Sequence, residues 1–160
     1  MTPRRPAPPH APATALKLWV VLSRAHAAIL RHVEADAARH GLTLAEFGVL
    51  EALHHKGPLL LGELQRKLLV SSGGVTWLVN RLVARGLVER DDCAEDRRAR
   101  YARLTPSGAA FIARAFPAHE AAIAAAVSGL APAEQLRATA LLRTLGQAAA
   151  DLPPDPPAAA

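Results

Sequence analysis

The segment from Ser71 to Gly86 constrains the fold of this chain more than any other part of its sequence. Apolar residues recur there at steps of three and four, which is the spacing of one helix face. These apolar positions are Val75, Leu78, Val79, Leu82 and Val83. Ser71 or Ser72 can cap the helix, and Gly86 is a stop after its last residues. The pattern predicts a helix that ends at Arg85, buries one face and exposes the other.

Shorter elements surround this helix on both sides. Thr43 and Glu46 form the pattern of a capping box, which predicts a second helix from Thr43 that ends at Gly57. A short third helix is expected at residues 62–68. Two strand-like stretches, residues 87–90 and 100–104, are separated by a charged connection over residues 91–99 and predict a hairpin.

Three longer helices lie outside these elements. The first is predicted from Thr14 to His40, with an apolar stripe at Leu18, Leu22, Ala25, Ile29 and Val33. The fifth follows Thr105-Pro106, a cap and a first-turn proline, and extends to Ser128. The sixth runs from Pro132 to Ala150. This order predicts a mainly α fold, a winged helix-turn-helix between long N- and C-terminal helices.

Composition agrees with one helical domain. The chain has 160 residues, 51% of them hydrophobic, and only 3 Phe, 2 Trp and 1 Tyr. Ala, Leu and Val supply most of the apolar content, which favours packed helices over a β-sandwich. Prolines are concentrated at both ends, so residues 1–13 and 151–160 are predicted to be disordered tails.

Charge and cysteine usage limit the function classes. The single cysteine, Cys93, excludes an internal disulfide framework and fits a reducing compartment. A formal net charge of +5 favours an anionic partner. No targeting segment is recognised, and the longest charge-free helical run, residues 121–133, is shorter than the roughly 20 residues of a membrane span. We therefore expect a soluble, cytoplasmic protein.

The exposed face of the helix from Ser71 to Gly86 carries groups that can read DNA. It is expected to display Gly73, Thr76, Trp77, Asn80, Arg81 and Ala84. No acidic residue occurs from Leu64 to Val88, and Arg and Asn can pair bidentately with guanine and adenine. An ordinary solvated helix face is the alternative.

The hairpin carries a second basic group. Four acidic residues come first, namely Asp91, Asp92, Glu95 and Asp96, and four arginines follow, namely Arg97, Arg98, Arg100 and Arg103. As a wing, these arginines would contact phosphates or enter a minor groove, while the acids face away or clamp arginines. A surface ladder of ion pairs is the alternative, worth about 0–1 kcal/mol per pair.

Residues 42–110 resemble the core of the MarR family of bacterial transcription regulators. The resemblance rests on Leu44-x-x-Phe47-x-x-Leu50, Gly57-Pro58, Leu64-x-x-x-Leu68, Val75-Thr76-x-Leu78-x-x-x-Leu82-x-x-x-Gly86-Leu87-Val88-x-Arg90, Asp96-Arg97-Arg98, Leu104-Thr105 and Gly108. The segments 54–58 and 70–76 resemble the quinone-responsive branch of MhqR type. Leu61, where a capping Thr or Ser is common, and the large Trp77 depart from the family pattern.

The resemblance implies a homodimer that binds a palindromic operator, usually as a repressor. It implies a linking and dimerisation helix at 14–40, a DNA-binding domain at 41–104 and C-terminal dimerisation helices at 105–150. The predicted DNA-binding residues are Ser71, Ser72, Gly73, Thr76, Trp77, Asn80 and Arg81 on the recognition helix and Arg97, Arg98 and Arg100 on the wing. A phenolic or quinone-like effector is expected in a pocket formed by Trp19, His26, Leu30, Phe47, His54 and Phe111.

Other functions are less well supported by the residues. Cys93 could act as a thiol redox switch, although its acidic neighbours disfavour the thiolate. The histidines lack the spacing of a structural zinc site, so no metal or cofactor is expected. Nucleotide-binding and hydrolase motifs are absent, so an enzyme is not expected. A winged-helix module that binds protein instead of DNA is the alternative from another class.

Overall fold

The computed structural model describes residues 12–68, 71–92 and 100–153. The chain divides into two compact units, Met1–Ile123 and Ala124–Ala160. Of the predicted tails, residues 1–11 and 154–160 lie outside the described residues, whereas residues 12–13 belong to the first helix.

Six helices and three short strands make up the described part of the chain. They are α1 (Pro12–Arg39), α2 (Leu44–Lys56), β1 (Leu59–Leu60), α3 (Leu61–Leu68), α4 (Ser72–Ala84), β2 (Val88–Asp92), β3 (Arg100–Leu104), α5 (Pro106–Ala126) and α6 (Pro132–Ala150). The mainly α fold with a winged helix-turn-helix is therefore confirmed.

Local capping explains where most of these helices begin. The Thr43 hydroxyl accepts from the Glu46 N–H, and the Glu46 carboxylate accepts from the Thr43 N–H, as the capping box predicts. Ser71 caps α4, and Thr105 caps α5 by accepting from the Gly108 N–H. The predicted start of α1 is wrong, since Thr14 lies inside a helix that begins at Pro12. Proline suits the first turn, where its missing N–H leaves no bond unmade.

The hairpin predicted at the wing is part of a three-stranded antiparallel sheet, with the order β1-β3-β2. β3 pairs with β2 from Val88↔Leu104 to Asp92↔Arg100 and with β1 at Leu59↔Ala102. The sequence analysis missed β1, because two residues are too few to show an alternating pattern.

The hydrophobic core of the first unit lies where α2, α3, α4 and the sheet meet. Its fully buried apolar side chains include Phe47, Val49, Leu50, Leu64, Val79 and Leu82. The start of α5 is tied to the end of α4, because the Gly86 carbonyl accepts from the hydroxyls of Thr105 and Ser107. Gly108 packs so closely there that an added Cβ would lie 1.9 Å from the Leu87 carbonyl oxygen.

Two of the long helices expose apolar faces. α1 exposes Leu16, Leu18, Trp19, Val20 and Val21, and α6, with no buried residue of its own, exposes Leu136, Leu141, Leu142 and Leu145. The predicted stripe of α1 is at most half-buried within one chain. By length and hydropathy alone, the segment Ala13–Arg39 would also pass as a membrane span, a test that one apolar helix near an N-terminus meets easily.

Candidate nucleic-acid interface

α4 presents a polar face to solvent. Val75, Leu78, Val79 and Leu82 are buried, while Gly73, Thr76, Trp77, Asn80 and Arg81 are exposed. This is the orientation that the 3–4 spacing predicts. The Thr76 hydroxyl donates to the Ser72 carbonyl at 3.1 Å, so its oxygen and methyl group are what it offers to a ligand. Trp77 is 54% exposed, which is unusual for so large an apolar side chain.

The N-terminus of α4 is open. The Ser71 hydroxyl accepts from the Gly74 N–H at 3.1 Å. The N–H groups of Ser72 and Gly73, at the start of the helix, have no intrahelical partner. A Cβ added to Gly73 would meet no atom within 4 Å. Backbone N–H groups at such an end can approach a phosphate.

Arg81 lies on the exposed face and makes two contacts within the protein that the sequence did not predict. Its Nε lies 2.8 Å from Glu46 Oε1, and its guanidinium carbon lies 4.8 Å from the centroid of the Trp77 ring. This contact with Glu46 is an ion pair without the alignment of a hydrogen bond. Glu46 Oε1 accepts no hydrogen bond within the described residues. With 47% of its side chain exposed, Arg81 is held by the protein and still faces solvent.

Glu46 remains ionised beneath this surface. Burial alone would raise its pKa, but hydrogen bonds from the backbone N–H and the hydroxyl of Thr43, together with the positive charges of Arg81 and Arg85, outweigh that effect. The pKa of Glu46 is therefore lower than the ordinary value of a glutamate.

The strands of the wing carry internal ion pairs. Arg103 contacts Glu89 at 2.8 Å and donates to the Asp91 carboxylate, and that hydrogen bond raises the pKa of Arg103. The ladder alternative therefore accounts for Arg103, and Asp91 clamps an arginine as expected. Arg100 is exposed at the start of β3. Cys93, Glu95, Asp96, Arg97 and Arg98 lie outside the described residues.

A basic recess of about 380 Å³ lies beside α4. It is lined by Leu60, Leu61, Gly62, Glu63, Arg66, Thr76, Arg90 and Arg100. Glu63 occupies one wall, where its carboxylate accepts from the Leu60 N–H at 3.0 Å and helps to start α3 without a Thr or Ser cap. The sequence did not predict that Arg66 and Arg90 line the same recess. They are 24 positions apart and come close only because α3 packs against the sheet.

A buried polar pair joins α1 to α5. His119 Nδ1 lies 2.7 Å from Asp36 Oδ2, and both side chains are almost completely buried. Phe47 stacks on the His119 ring at 4.0 Å, and Arg39 also contacts Asp36. The sequence analysis missed this pair, since no local pattern connects residues 83 positions apart.

The residues 40–99 match the model of the MarR family. The HTH-type transcriptional regulator MhqR of Bacillus subtilis (strain 168) is 37% identical over 131 residues, which cover 82% of this chain and 90% of the relative. This chain belongs to the MarR family. Members of this family are transcriptional regulators and not enzymes, which confirms the expectation that this chain is not an enzyme. The chain is therefore a DNA-binding regulator.

Two solved structures extend the comparison for this MarR-family chain. Sco3205, a MarR family transcriptional regulator from Streptomyces coelicolor solved in complex with DNA, has a TM-score of 0.81 and 25% identity over 94% of this chain and 95% of its own. BpsR of Bordetella bronchiseptica, whose DNA binding is regulated by 6-hydroxynicotinic acid, has a TM-score of 0.74 and 28% identity over 81% of this chain and 98% of its own.

The six predicted effector residues are spread over the first unit of this MarR-family chain. Trp19, His26 and His54 are exposed, Leu30 and Phe111 are half-buried, and Phe47 is fully buried against His119. None of them lines the basic recess or a second cavity of about 560 Å³ between α1, α2 and α3. Within the described residues, no three His, Cys, Asp or Glu side chains are grouped to hold a metal ion.

Proposed function

We propose that this chain is a cytoplasmic homodimer that represses transcription by inserting α4 of each copy into the major groove of a palindromic operator. The exposed Thr76, Trp77 and Asn80 on a helix whose other face is core carry this proposal. Asn can pair bidentately with adenine, and a threonine methyl or an aromatic ring can meet the methyl of thymine. The family assignment supports the same role for α4.

Phosphate contacts would come from the surroundings of α4. The open N-terminus at Gly73 and the basic recess with Arg66, Arg90 and Arg100 supply the donors and the charge. Arg97 and Arg98 are proposed to extend these contacts at the wing. Each phosphate contact releases counterions, so affinity for DNA is expected to fall steeply with salt.

The apolar face of α1 and the apolar face of α6 each support the homodimer. Each helix exposes at least four large hydrophobic side chains, and surfaces of this kind on a soluble protein mark interaction sites. A second copy related by a two-fold axis covers equivalent faces at once and positions two α4 helices for half-sites one helical turn apart. A DNA-binding function supports the proposed cytoplasmic location.

Release by a small aromatic effector is the last part of the proposal. BpsR responds to a hydroxylated aromatic acid, which supports a ligand of this class. In the first unit, the expected pocket residues are exposed or packed into the core, so we propose that the second copy completes the pocket. If Cys93→Ser abolished the response, the thiol redox alternative would replace this mechanism.

The test is fluorescence anisotropy with purified protein and the DNA upstream of its own gene. We expect tight binding to this duplex, weaker binding to a scrambled duplex of equal composition, and a loss of affinity for both when salt is raised. Equal binding to both duplexes would contradict an operator-specific function, and failure to bind either would favour the protein-interaction module.

A further inference from the structure

Glu46 is a buried carboxylate directly beneath the surface that the proposed function assigns to DNA. Its Oε2 accepts from the Thr43 N–H at 2.8 Å and from the Thr43 hydroxyl at 2.9 Å. These two bonds complete the capping box of α2 with a single oxygen. Oε1 takes no part in the box and faces Arg81 Nε at 2.8 Å.

A second glutamate in the molecule shows what capping alone requires. The Glu134 carboxylate accepts from the Ala131 N–H at 2.9 Å at the start of α6, where both residues are exposed. No ion pair of Glu134 with an arginine occurs within the described residues. A neutral glutamine serves a capping box as well as a glutamate does. A buried charge is costly unless it is paired, and the Oε1 atom of Glu46, which the cap does not use, lies against Arg81.

Arg81 is held on two sides. The carboxylate of Glu46 holds its Nε edge, and the face of Trp77, one helical turn earlier, lies 4.8 Å from the guanidinium carbon. A free arginine side chain samples many rotamers, and a ligand must order them when it binds. Here folding already orders them, while the guanidinium stays half-exposed and keeps donors for a ligand.

We propose that Glu46 is a positioning residue for DNA recognition, which fixes Arg81 against Trp77 so that both side chains meet the operator as one preformed surface. This inference rests on the proposed function and adds a source of operator specificity that lies outside the DNA-facing surface. Non-specific binding depends on total charge and phosphate contacts, so it does not require this order. Specific binding to base edges does.

The test compares Glu46→Gln with Glu134→Gln as the matched control. Both changes keep a capping side chain, and only the first removes the carboxylate from Arg81. We expect Glu46→Gln to lower the ratio of operator affinity to scrambled-duplex affinity about tenfold, the scale of one bidentate base contact. Glu134→Gln leaves the ratio unchanged. A ratio in Glu46→Gln equal to that of the wild type overturns the inference.

Arg81→Lys supplies a second route that does not require the Glu46→Gln chain to fold, because an unchanged operator ratio in Arg81→Lys alone also overturns the inference. Lysine keeps a cation beside Glu46 but lacks the planar group that stacks on Trp77. We expect it to lower the operator ratio to a similar extent. If Glu46 acts through Arg81, the double variant Glu46→Gln/Arg81→Lys has an operator ratio no lower than that of Arg81→Lys alone. If instead the losses of the two single variants add in full, the inference is overturned.

Trp77 gives a readout without DNA. In a Trp19→Phe background it is the single tryptophan of the chain, and Glu46→Gln is expected to increase quenching of its emission by acrylamide as Arg81 leaves the ring. Unchanged quenching overturns the inference. A wild type that binds operator and scrambled duplex equally overturns the proposed function itself, which separates the two failures.

Discussion

The winged-helix region and the long helices α1 and α6 use apolar residues in opposite ways. In the winged helix, α4 buries Leu78, Val79 and Leu82 within its own chain, and the outward face is polar. α6 buries none of its residues within one chain, and α1 leaves most of its apolar N-terminal half exposed. The first region therefore buries its apolar residues within a single chain, whereas α1 and α6 leave apolar faces exposed for the partner copy that we propose.

The largest expected effect lies in the winged-helix core. Leu82 is fully buried in the apolar face of α4, near the C-terminal end of the helix. Leu82→Ala is expected to lower the free energy of unfolding by about 2–5 kcal/mol through lost burial and a cavity. Chemical denaturation at two protein concentrations measures this, with Leu152→Ala, at a side chain 62% exposed beyond the end of α6, as the control. A loss below about 1 kcal/mol would contradict the assignment of α4 to a single-chain core.

A charge on α6 is expected to act on assembly instead. Leu141→Glu places a carboxylate in the apolar face that we assign to the dimer, at a cost of about 2 kcal/mol or more, which is over tenfold in the dimer dissociation constant. Analytical ultracentrifugation over a concentration series measures the shift. An unchanged dissociation constant would remove α6 from the interface, and a wild-type monomer at all concentrations would remove the dimer.

On the polar face of α4, two substitutions separate base reading from phosphate contact. Asn80→Ala is expected to cost about 1–3 kcal/mol of operator affinity and to relax preference at one base position. Arg66→Ala, in the basic recess, is expected to weaken binding to all duplexes alike and to reduce the salt slope by about 1. Titrations of operator and scrambled duplexes at several salt concentrations distinguish the two. If both variants lose the same affinity on both duplexes, α4 makes no base contact through Asn80.

The smallest effect concerns acid stability. Because the pKa of Glu46 is lowered in the folded chain, its ionised form contributes stability above the ordinary pKa of about 4.5, and that contribution is lost as the pH falls from there toward the folded value. The gap in melting temperature between wild type and Glu46→Gln is expected to be constant from pH 6 to 7 and to close under acid. A gap that widens as the pH falls would contradict the sign of the shift.

Local patterns predicted the parts of the fold that depend on neighbouring residues. The capping box at Thr43, the cap at Ser71 and the buried face of α4 follow from spacings of three and four. The features that were missed depend on residues far apart in the chain. β1 exists only as a partner of β3, the Asp36–His119 pair spans α1 and α5, and Arg81 turns toward Glu46 because α2 packs behind α4.

The junction at Gly86 has a mechanical consequence. The hydroxyl groups of Thr105 and Ser107, at the start of α5, donate to the Gly86 carbonyl. Gly108 packs so closely against the Leu87 backbone that a larger residue would not fit. The end of α4, the helix that we propose reads DNA, and the start of α5 are therefore expected to move together. A tilt of α5 at this junction is therefore expected to reorient α4 as well.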